Sequence, residues 1–594
     1  MAVQSAAIGN PGISDDSAAE PGRRMLEAAE EAVNRWVSRE AAADGGYGVS
    51  DFPALAAAVK DLISLGSHGG AYSQRAKLAL ESAMGHLEDD FCQVLISGTY
   101  FHPPDNLQAS LYDSIALPVR SSSFSSITNL EAASLSSFTT SSSDDRWTYC
   151  TGHSRDSFSL EKVHLYLIDP EASTLLKEIA ELMMLAGHES NLSHAYGEIR
   201  NSTLMQCLCL FGVQIDLNSY NPRASPSESG FNMLLDLDGQ KMEIWIQALR
   251  VIIGTVLPEE RQACTQIFGS DSKVEEDCFA RATTRFIQQL FAFGSLIANV
   301  KDEQYEKVPL LVQMLEEFLK LKPSIEALRY GDAKDAISQE ADMLLEKLRE
   351  EAVRLLLKFS EAQINHESYD NETIVLNGSV LSFPQYTMGV IKLLAGYSDT
   401  LNIILPVEVG GVGTVTTSPW KSYVLTLLTR LQLNIEEKSK SYKDECLRNV
   451  FLMNNAMYVL EKARSPDLKI LLGDNWVTKQ LVQVEQHATA YLRASWTEPL
   501  FQLKDKGISY TERSLILTKK FKNFNSIFGE ISRVQTTWKV PNPQLRQHLR
   551  LVILQQVIPA YRAFVGRFGM LLNSKFIKYT LEDIENNVLD LFEG

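Results

Sequence analysis

Seven apolar residues, Ile337, Ala341, Leu344, Leu348, Ala352, Leu355 and Phe359, recur at steps of four and three through a stretch otherwise rich in Glu, Lys and Arg. Such steps put every member on one stripe of an α-helix, whereas a strand would scatter them over both faces. A long helix with a single apolar stripe must cover it with neighbours. From about Ser159 onward one segment of this kind follows another, and nothing alternates convincingly with period two. Glycine (33) and proline (20) are scarce for 594 residues, which disfavours many short strands and tight turns. The pattern predicts an all-α fold of stacked helical bundles, and no fixed repeat marks a strict solenoid. The length allows roughly four domains at ~150 residues each.

The chain divides unevenly. Residues 1–20 read as a disordered N-terminus, with Pro21 suited to head a helix. Three stripes follow: Met25, Ala29, Val33, Trp36; then Phe52, Leu55, Val59, Leu62; then Leu80, Met84, Leu87, Phe91, Val94. They make 21–100 a helical or coiled-coil region whose apolar faces are covered by its own helices or by a partner helix. Residues 101–158 break the pattern. Between Ser121 and Ser143, 14 of 23 residues are Ser or Thr, too little apolar surface to offset ordering entropy, so the segment reads as a flexible linker open to phosphorylation. Helical bundles are expected over 159–300, 301–440 and 441–594, with the glycine-rich stretch 407–413 as a loop.

Several function classes find no support. Residues 1–22 are small and polar, with Asp15 and Asp16 where a signal peptide needs an apolar core. No apolar run approaches the ~20 residues of a membrane-spanning helix, and the Phe592-Glu593-Gly594 ending is no prenylation box. Membrane contact is therefore expected to be peripheral. Seven cysteines, at 92, 150, 207, 209, 264, 278 and 446, contain no C-x-x-C pair, and Cys207 and Cys209 fall on different faces of a helix, so neither zinc nor a disulfide framework is indicated. There is no phosphate-binding loop, since Gly411-Val412-Gly413 is only a fragment, and no G-x-S-x-G elbow. His188 and His194 are six apart, where a helical metal box needs four. Acidic pairs such as Asp89-Asp90 and Glu350-Glu351 read as solvated helix faces. A net charge of −18 argues against nucleic acid.

Charge is nevertheless patterned. Residues 501–580 carry 14 Lys plus Arg against Asp505, Glu512 and Glu530, a local balance of +11, and five acids return in the last fourteen residues. Two readings are open: helix faces whose cations pair with acids elsewhere, or a surface for anionic lipid, where each Lys or Arg contributes roughly 1 kcal/mol.

An ordered series of motifs occupies the same third of the chain: Met453-Asn454-Asn455-Ala456-Met457-Tyr458, Leu471-Leu472-Gly473-Asp474-Asn475-Trp476, Arg493-Ala494-Ser495-Trp496, Phe521-Lys522-Asn523-Phe524-Asn525, Val540-Pro541-Asn542-Pro543, Ile558-Pro559-Ala560-Tyr561-Arg562 and Lys575-Phe576-Ile577-Lys578-Tyr579-Thr580. This series resembles the Exo-seventy family of exocyst subunits, in its plant branch. Between 159 and 440 the likeness is looser, resting on periodicity and Tyr196-Gly197-Glu198-Ile199-Arg200. Local physics agrees. Pro543 suits a helix start, Leu545, Leu549, Val552, Val557, Tyr561, Phe564, Phe568 and Leu571 form a stripe that Pro559 should kink, and Thr580-x-x-Asp583 reads as a capping pair for a last helix burying Ile584, Val588 and Leu591.

The resemblance implies an elongated rod of helical bundles that is not an enzyme and has no cofactor. It implies a subunit that tethers secretory vesicles to the plasma membrane before fusion. The N-terminal helices would join other exocyst subunits, and the C-terminal tip would touch anionic inositol phospholipids such as phosphatidylinositol 4,5-bisphosphate. Lys575 and Lys578 match the family's lipid-contacting lysines; Arg567 and Arg562 are further candidates, with burial and pairing the alternative for Arg562. Small GTPases and pathogen effector proteins are the other partners implied, and the location is cytoplasmic, recruited peripherally to plasma membrane and vesicles. The chain departs from the plant pattern at Leu381-Ser382-Phe383-Pro384-Gln385-Tyr386, where a His and an Arg are lost, and at Leu581, where the family has proline. These departures motivate an alternative, a specialised paralogue acting as an interaction adaptor in plant defence with weak lipid binding.

Overall fold

The computed structural model describes residues 16–38, 52–67, 72–99, 168–213, 238–270, 272–299, 305–328, 330–362, 377–406, 418–504, 513–569 and 576–594. The Ser-rich stretch expected as a linker, the glycine-rich loop at 407–413 and Lys575 lie outside the described residues. The described residues are almost all helical; their only strand-like pairs are two isolated antiparallel bridges, Thr99 with Ile168 and Lys539 with Glu593. The all-α reading holds. Two compact units divide the described residues: those up to 299 with Met314–Leu348, and those of 305–313 with Arg349–Gly594.

In the first unit α1 (Asp16–Val37), α2 (Phe52–Ser67) and α3 (Ser73–Gly98) pack in succession. Their predicted stripes supply the buried contacts, with two shifts: Leu26 is buried beside a half-buried Met25, and Leu80 is only half-buried. Helix α1 starts at Asp16, so Pro21 lies inside it, as its sixth residue, rather than at its head; it lies just past the four N–H groups that lack helical partners at any helix start, and removes one bond of the first turns. The Asp89-Asp90 pair is not a purely solvated face, since Trp36 donates its indole N–H to Asp90 at 2.7 Å.

Next come α4 (Pro170–Leu185), α5 (Glu189–Leu210), α6 (Asp238–Val251), α7 (Leu257–Phe268) and α8 (Lys273–Ile297). A π-helical turn, Ile252–Val256, joins α6 to α7. Pro258 stands just beyond it, and a widened turn accommodates the hydrogen bond that a proline cannot donate. Helices α5 and α8 run close together because Gly197 has no side chain: a Cβ there would lie 2.5 Å from Arg281 Cβ. The same turn of α5 turns Tyr196 and Arg200 inward. Arg200 forms an ion pair with Glu260 of α7 at 2.5 Å, both side chains being fully buried, and also donates to Thr99 at 3.1 Å. Tyr196 donates to the same carboxylate at 2.8 Å. Burial works against the Arg200 charge, but Glu260 outweighs it and keeps the guanidinium protonated far above neutral pH.

Helices α9 (Val308–Ala327) and α10 (Lys334–Ala362) contribute residues to both units. All seven residues of the α10 stripe are at most 2% exposed. Glu351, expected on a solvated face, is instead buried and paired with Arg354 at 2.8 Å. The second unit continues with α11 (Ser382–Ala395), α12 (Ser398–Ile404), α13 (Pro419–Ser439), α14 (Glu445–Ala463), α15 (Pro466–Leu472), α16 (Asp474–Gln502), α17 (Arg513–Gln535), α18 (Pro543–Phe568) and α19 (Leu581–Leu589).

A buried charge left without its partner is far more costly than the pair is valuable. Glu260→Ala is expected to lower the stability of the first unit by about 3–5 kcal/mol, read as faster hydrogen exchange in α5 and α7. The double change Arg200→Met with Glu260→Leu should recover most of that loss.

Candidate basic lipid-facing site

Most motif residues of the C-terminal third turn out to be structural. Asn454 donates to the carbonyls of Gly378 at 2.8 Å and Lys539 at 2.7 Å, and the Asn455 carbonyl accepts from the Leu381 N–H at 3.1 Å. Ser495 accepts from Gln535 at 2.7 Å, Gln535 accepts from Tyr491 at 2.7 Å, and Tyr491 accepts from Trp496 at 3.1 Å, a wholly buried chain. Gly473, at φ 83°, makes the left-handed turn between α15 and α16 that other residues rarely adopt.

The α17–α18 pair builds the basic end. On α17, Phe521, Phe524 and Phe528 are buried, while Lys519 and Lys522 face out. On α18 the buried residues are Leu545, Leu549, Ile553, Val557, Tyr561, Phe564 and Phe568. Ile553 takes the place expected of Val552, because steps of four from Leu549 keep to the contact face; Leu571 lies outside the described residues. Pro543 stands at the first helical position, capped by Asn542, and the helix runs through Pro559 to Phe568. The rings stack across the two helices: Phe521 on Phe564 at 5.5 Å and 1° between planes, and Phe524 against Tyr561 at 5.4 Å.

Residues 576–580 lie as a strap over this column. Asn525 donates to the Phe576 carbonyl at 2.8 Å, and Tyr561 donates to the Tyr579 carbonyl at 2.5 Å. Burial pushes the Tyr561 hydroxyl up to about 12, so it remains a donor at neutral pH. The Tyr579 ring meets Phe528 edge-on at 5.0 Å, and its hydroxyl reaches into the space left by Gly529, 2.8 Å from where a Cβ would stand. Thr580 then caps α19 through a reciprocal pair with Asp583, as the spacing predicted. Ile584, Val588 and Leu591 are buried, also as expected.

Lys578 is exposed on this strap, its Nζ 4.8 Å from the Tyr579 ring. Lys522 lies over the Phe576 ring at 4.5 Å. Sequence reasoning missed Lys522 as a site residue; its place one turn before Asn525, within the quoted Phe-Lys-Asn-Phe-Asn motif, was the available signal. Arg562 and Arg567 are both exposed, so Arg562 is not a buried, paired residue. Being five apart they point about 140° from one another, and α18 does not bring them to one face.

Part of the basic block is paired with acids, as the first of the two readings expects. Arg533 pairs with Glu530 at 2.5 Å; Arg550 and Arg546 reach Glu593 at 2.6 and 3.7 Å. The Arg550 hydrogen bond, more than the charge of Arg546, holds the Glu593 carboxyl below the usual range. The cations at the strap keep exposed positions. Elsewhere a thiol, a phenol and a carboxylate converge at Cys264, Tyr196 and Glu260, but all three are sealed from solvent and burial raises both the thiol and the phenol, so no reactant meets a nucleophile there. Among the described residues no group of three or more His, Cys, Asp or Glu could hold a metal ion, and no helix is long and apolar enough to cross a membrane.

The chain has recognisable relatives. The family defined by the C-terminal region of the Exo70 exocyst complex subunits matches residues 243–590. The chain is 31% identical over 538 residues to the exocyst complex component EXO70A1 of Arabidopsis thaliana, covering 87% of this chain and 78% of that one. It is 30% identical to EXO70A3 of the same plant over 439 residues, 72% of each. The crystal structure of the Saccharomyces cerevisiae exocyst component Exo70p has a like fold, with a TM-score of 0.53 and 13% identity over 97% of this chain and 99% of that chain.

The strap's order rests in part on a carboxylate. Hydrogen bonds from the backbone and side chain of Thr580 hold the Asp583 carboxyl below its ordinary range. A depressed folded-state value stabilises above the unfolded value, ~3.9, and the contribution disappears as pH falls through the lower one. Hydrogen exchange over 576–589 is expected to quicken in that acidic window, and Asp583→Asn should shrink the acid-induced change.

Proposed function

Since this chain belongs to the Exo70 family of exocyst subunits, we propose that it tethers secretory vesicles to the plasma membrane before fusion, joining partner subunits and touching anionic inositol phospholipids at its basic end. The observation that carries the reading is Lys578, exposed on a strap that buried aromatic residues hold in place, with Lys522 over the neighbouring ring. A fixed strap holds its cations at the surface without ordering them anew on contact, which preserves their attraction to phosphate headgroups. Lys575, matched by resemblance alone, belongs to the proposed contact set; Arg562 and Arg567 are both exposed but on different faces of α18, so only one of them can join it.

Three described cations at roughly 1 kcal/mol each give about 3 kcal/mol, too little for a lone chain to stay on a membrane. Recruitment then depends on avidity, with further contacts supplied by the assembled complex. In this reading the N-terminal helices α1–α3 engage other exocyst subunits, small GTPases and pathogen effectors act on the same assembly, and the protein is cytoplasmic until recruited. The adaptor alternative draws on the departures at 381–386. Leu381, Phe383 and Pro384 are buried there and only Ser382 and Gln385 are exposed, so the departure falls mainly on packing positions and offers a partner little surface.

The test is flotation of the full chain with vesicles of phosphatidylcholine containing phosphatidylinositol 4,5-bisphosphate. Lys578→Glu with Lys522→Glu should weaken binding by about tenfold or more and flatten its salt dependence. Unchanged binding would remove these lysines from the site.

A further inference from the structure

We propose that Phe501 and Leu515, at the α16–α17 end of the second unit, form an apolar anchor that inserts into the interfacial layer of an anionic bilayer; this rests on the membrane reading above. Leu515 is 80% exposed and Phe501 53% exposed. Neither follows from the packing of its helix. The core face of α17 is Leu517, Phe521, Phe524 and Phe528, and Leu515, two residues before the first of these, points about 200° away. On α16 the buried residues near Phe501 are Trp496, Pro499 and Gln502.

The surroundings select the partner. Lys520 spans the two helices, with its Nζ 5.1 Å from the Phe501 ring centre and donating to the Lys504 carbonyl at 2.6 Å. Leu515, Lys519 and Lys522 share one face of α17 at i, i+4 and i+7, and Lys522 continues that face to Phe576 of the strap. Residues 498–504 and 513–529 hold five cations and one acid, Glu498, which accepts from the Gln502 side chain, with Asp505 and Glu512 standing between the two segments in sequence. By contrast Ile470, 84% exposed, sits between Asp467 and Asp474. Lys520 over Phe501, and Lys519 and Lys522 on the helix face of Leu515, suit a lipid interface, where apolar side chains enter the acyl boundary and cations stay among anionic headgroups.

Contact by charge alone is screened by salt, whereas inserted apolar area is not. The test uses the full chain and vesicles of phosphatidylcholine, phosphatidylserine and phosphatidylinositol 4,5-bisphosphate at low and high salt. The wild type should keep a salt-resistant bound fraction. Phe501→Ser with Leu515→Ser should bind at low salt, lose that fraction, and weaken at high salt by about tenfold. Both side chains are exposed, so the variant's melting temperature should match the wild type. As a second readout, an environment-sensitive fluorophore on Leu515→Cys should shift to the blue on vesicle binding and be quenched by lipids brominated on the acyl chain. Vesicle binding with unchanged salt resistance in the double variant, or with no quenching, overturns the anchor and leaves the electrostatic reading standing. No vesicle binding by the wild type overturns both. Loss of association with partner subunits, with salt-resistant vesicle binding intact, assigns this face to a protein and also overturns insertion.

Discussion

The second unit depends at its C-terminal end on one constraint: an aromatic column that must be covered on every side. Phe521, Phe524 and Phe528 lie on one face of α17, and Tyr561 and Phe564 meet them from α18. Two helices leave the Phe528 end of such a column open. Tyr579 covers it, which draws the preceding residues into a strap, and the strap then needs partners for its carbonyls. Asn525 and the buried Tyr561 hydroxyl supply them. The placement of Lys578 at the surface is thus a consequence of packing by its neighbours.

The same logic explains why a family resemblance was legible in residues that touch no ligand. Asn454, Asn455, Ser495 and Trp496 satisfy buried backbone and side-chain polar groups, where an unpaired group costs several times what a paired one contributes. Tyr196, Gly197 and Arg200 do likewise in the first unit. Few other side chains meet these demands at these positions. The cations proposed to meet lipid need only charge and exposure, and many residues along an exposed face meet that demand.

Periodicity made the helices legible, most fully in α10, where each predicted position is buried. It was less reliable where two neighbouring apolar residues compete for one face: Ile553 over Val552, Leu26 over Met25. The spacing of three between Thr580 and Asp583 foretold a capping pair because that geometry is local. Non-local pairings were not legible. Nothing in the sequence joins Arg200 to Glu260, 60 positions apart, or Trp36 to Asp90, 54 positions apart. Net charge could not separate paired from exposed cations; it took the fold to set Arg546 and Arg550 beside Glu593 and to leave Lys578 outward.

The central claim is that the anchored strap and the helix faces beside it form the membrane-contacting surface of an Exo70-family subunit. Hydrogen-exchange mass spectrometry of the full chain, with and without vesicles containing phosphatidylinositol 4,5-bisphosphate, tests it most directly. The account predicts added protection over 576–580 and the adjoining turns of α17 and α18, with α1–α3 unchanged. Protection confined to α1–α3, or none at the strap while the chain is vesicle-bound, would contradict it.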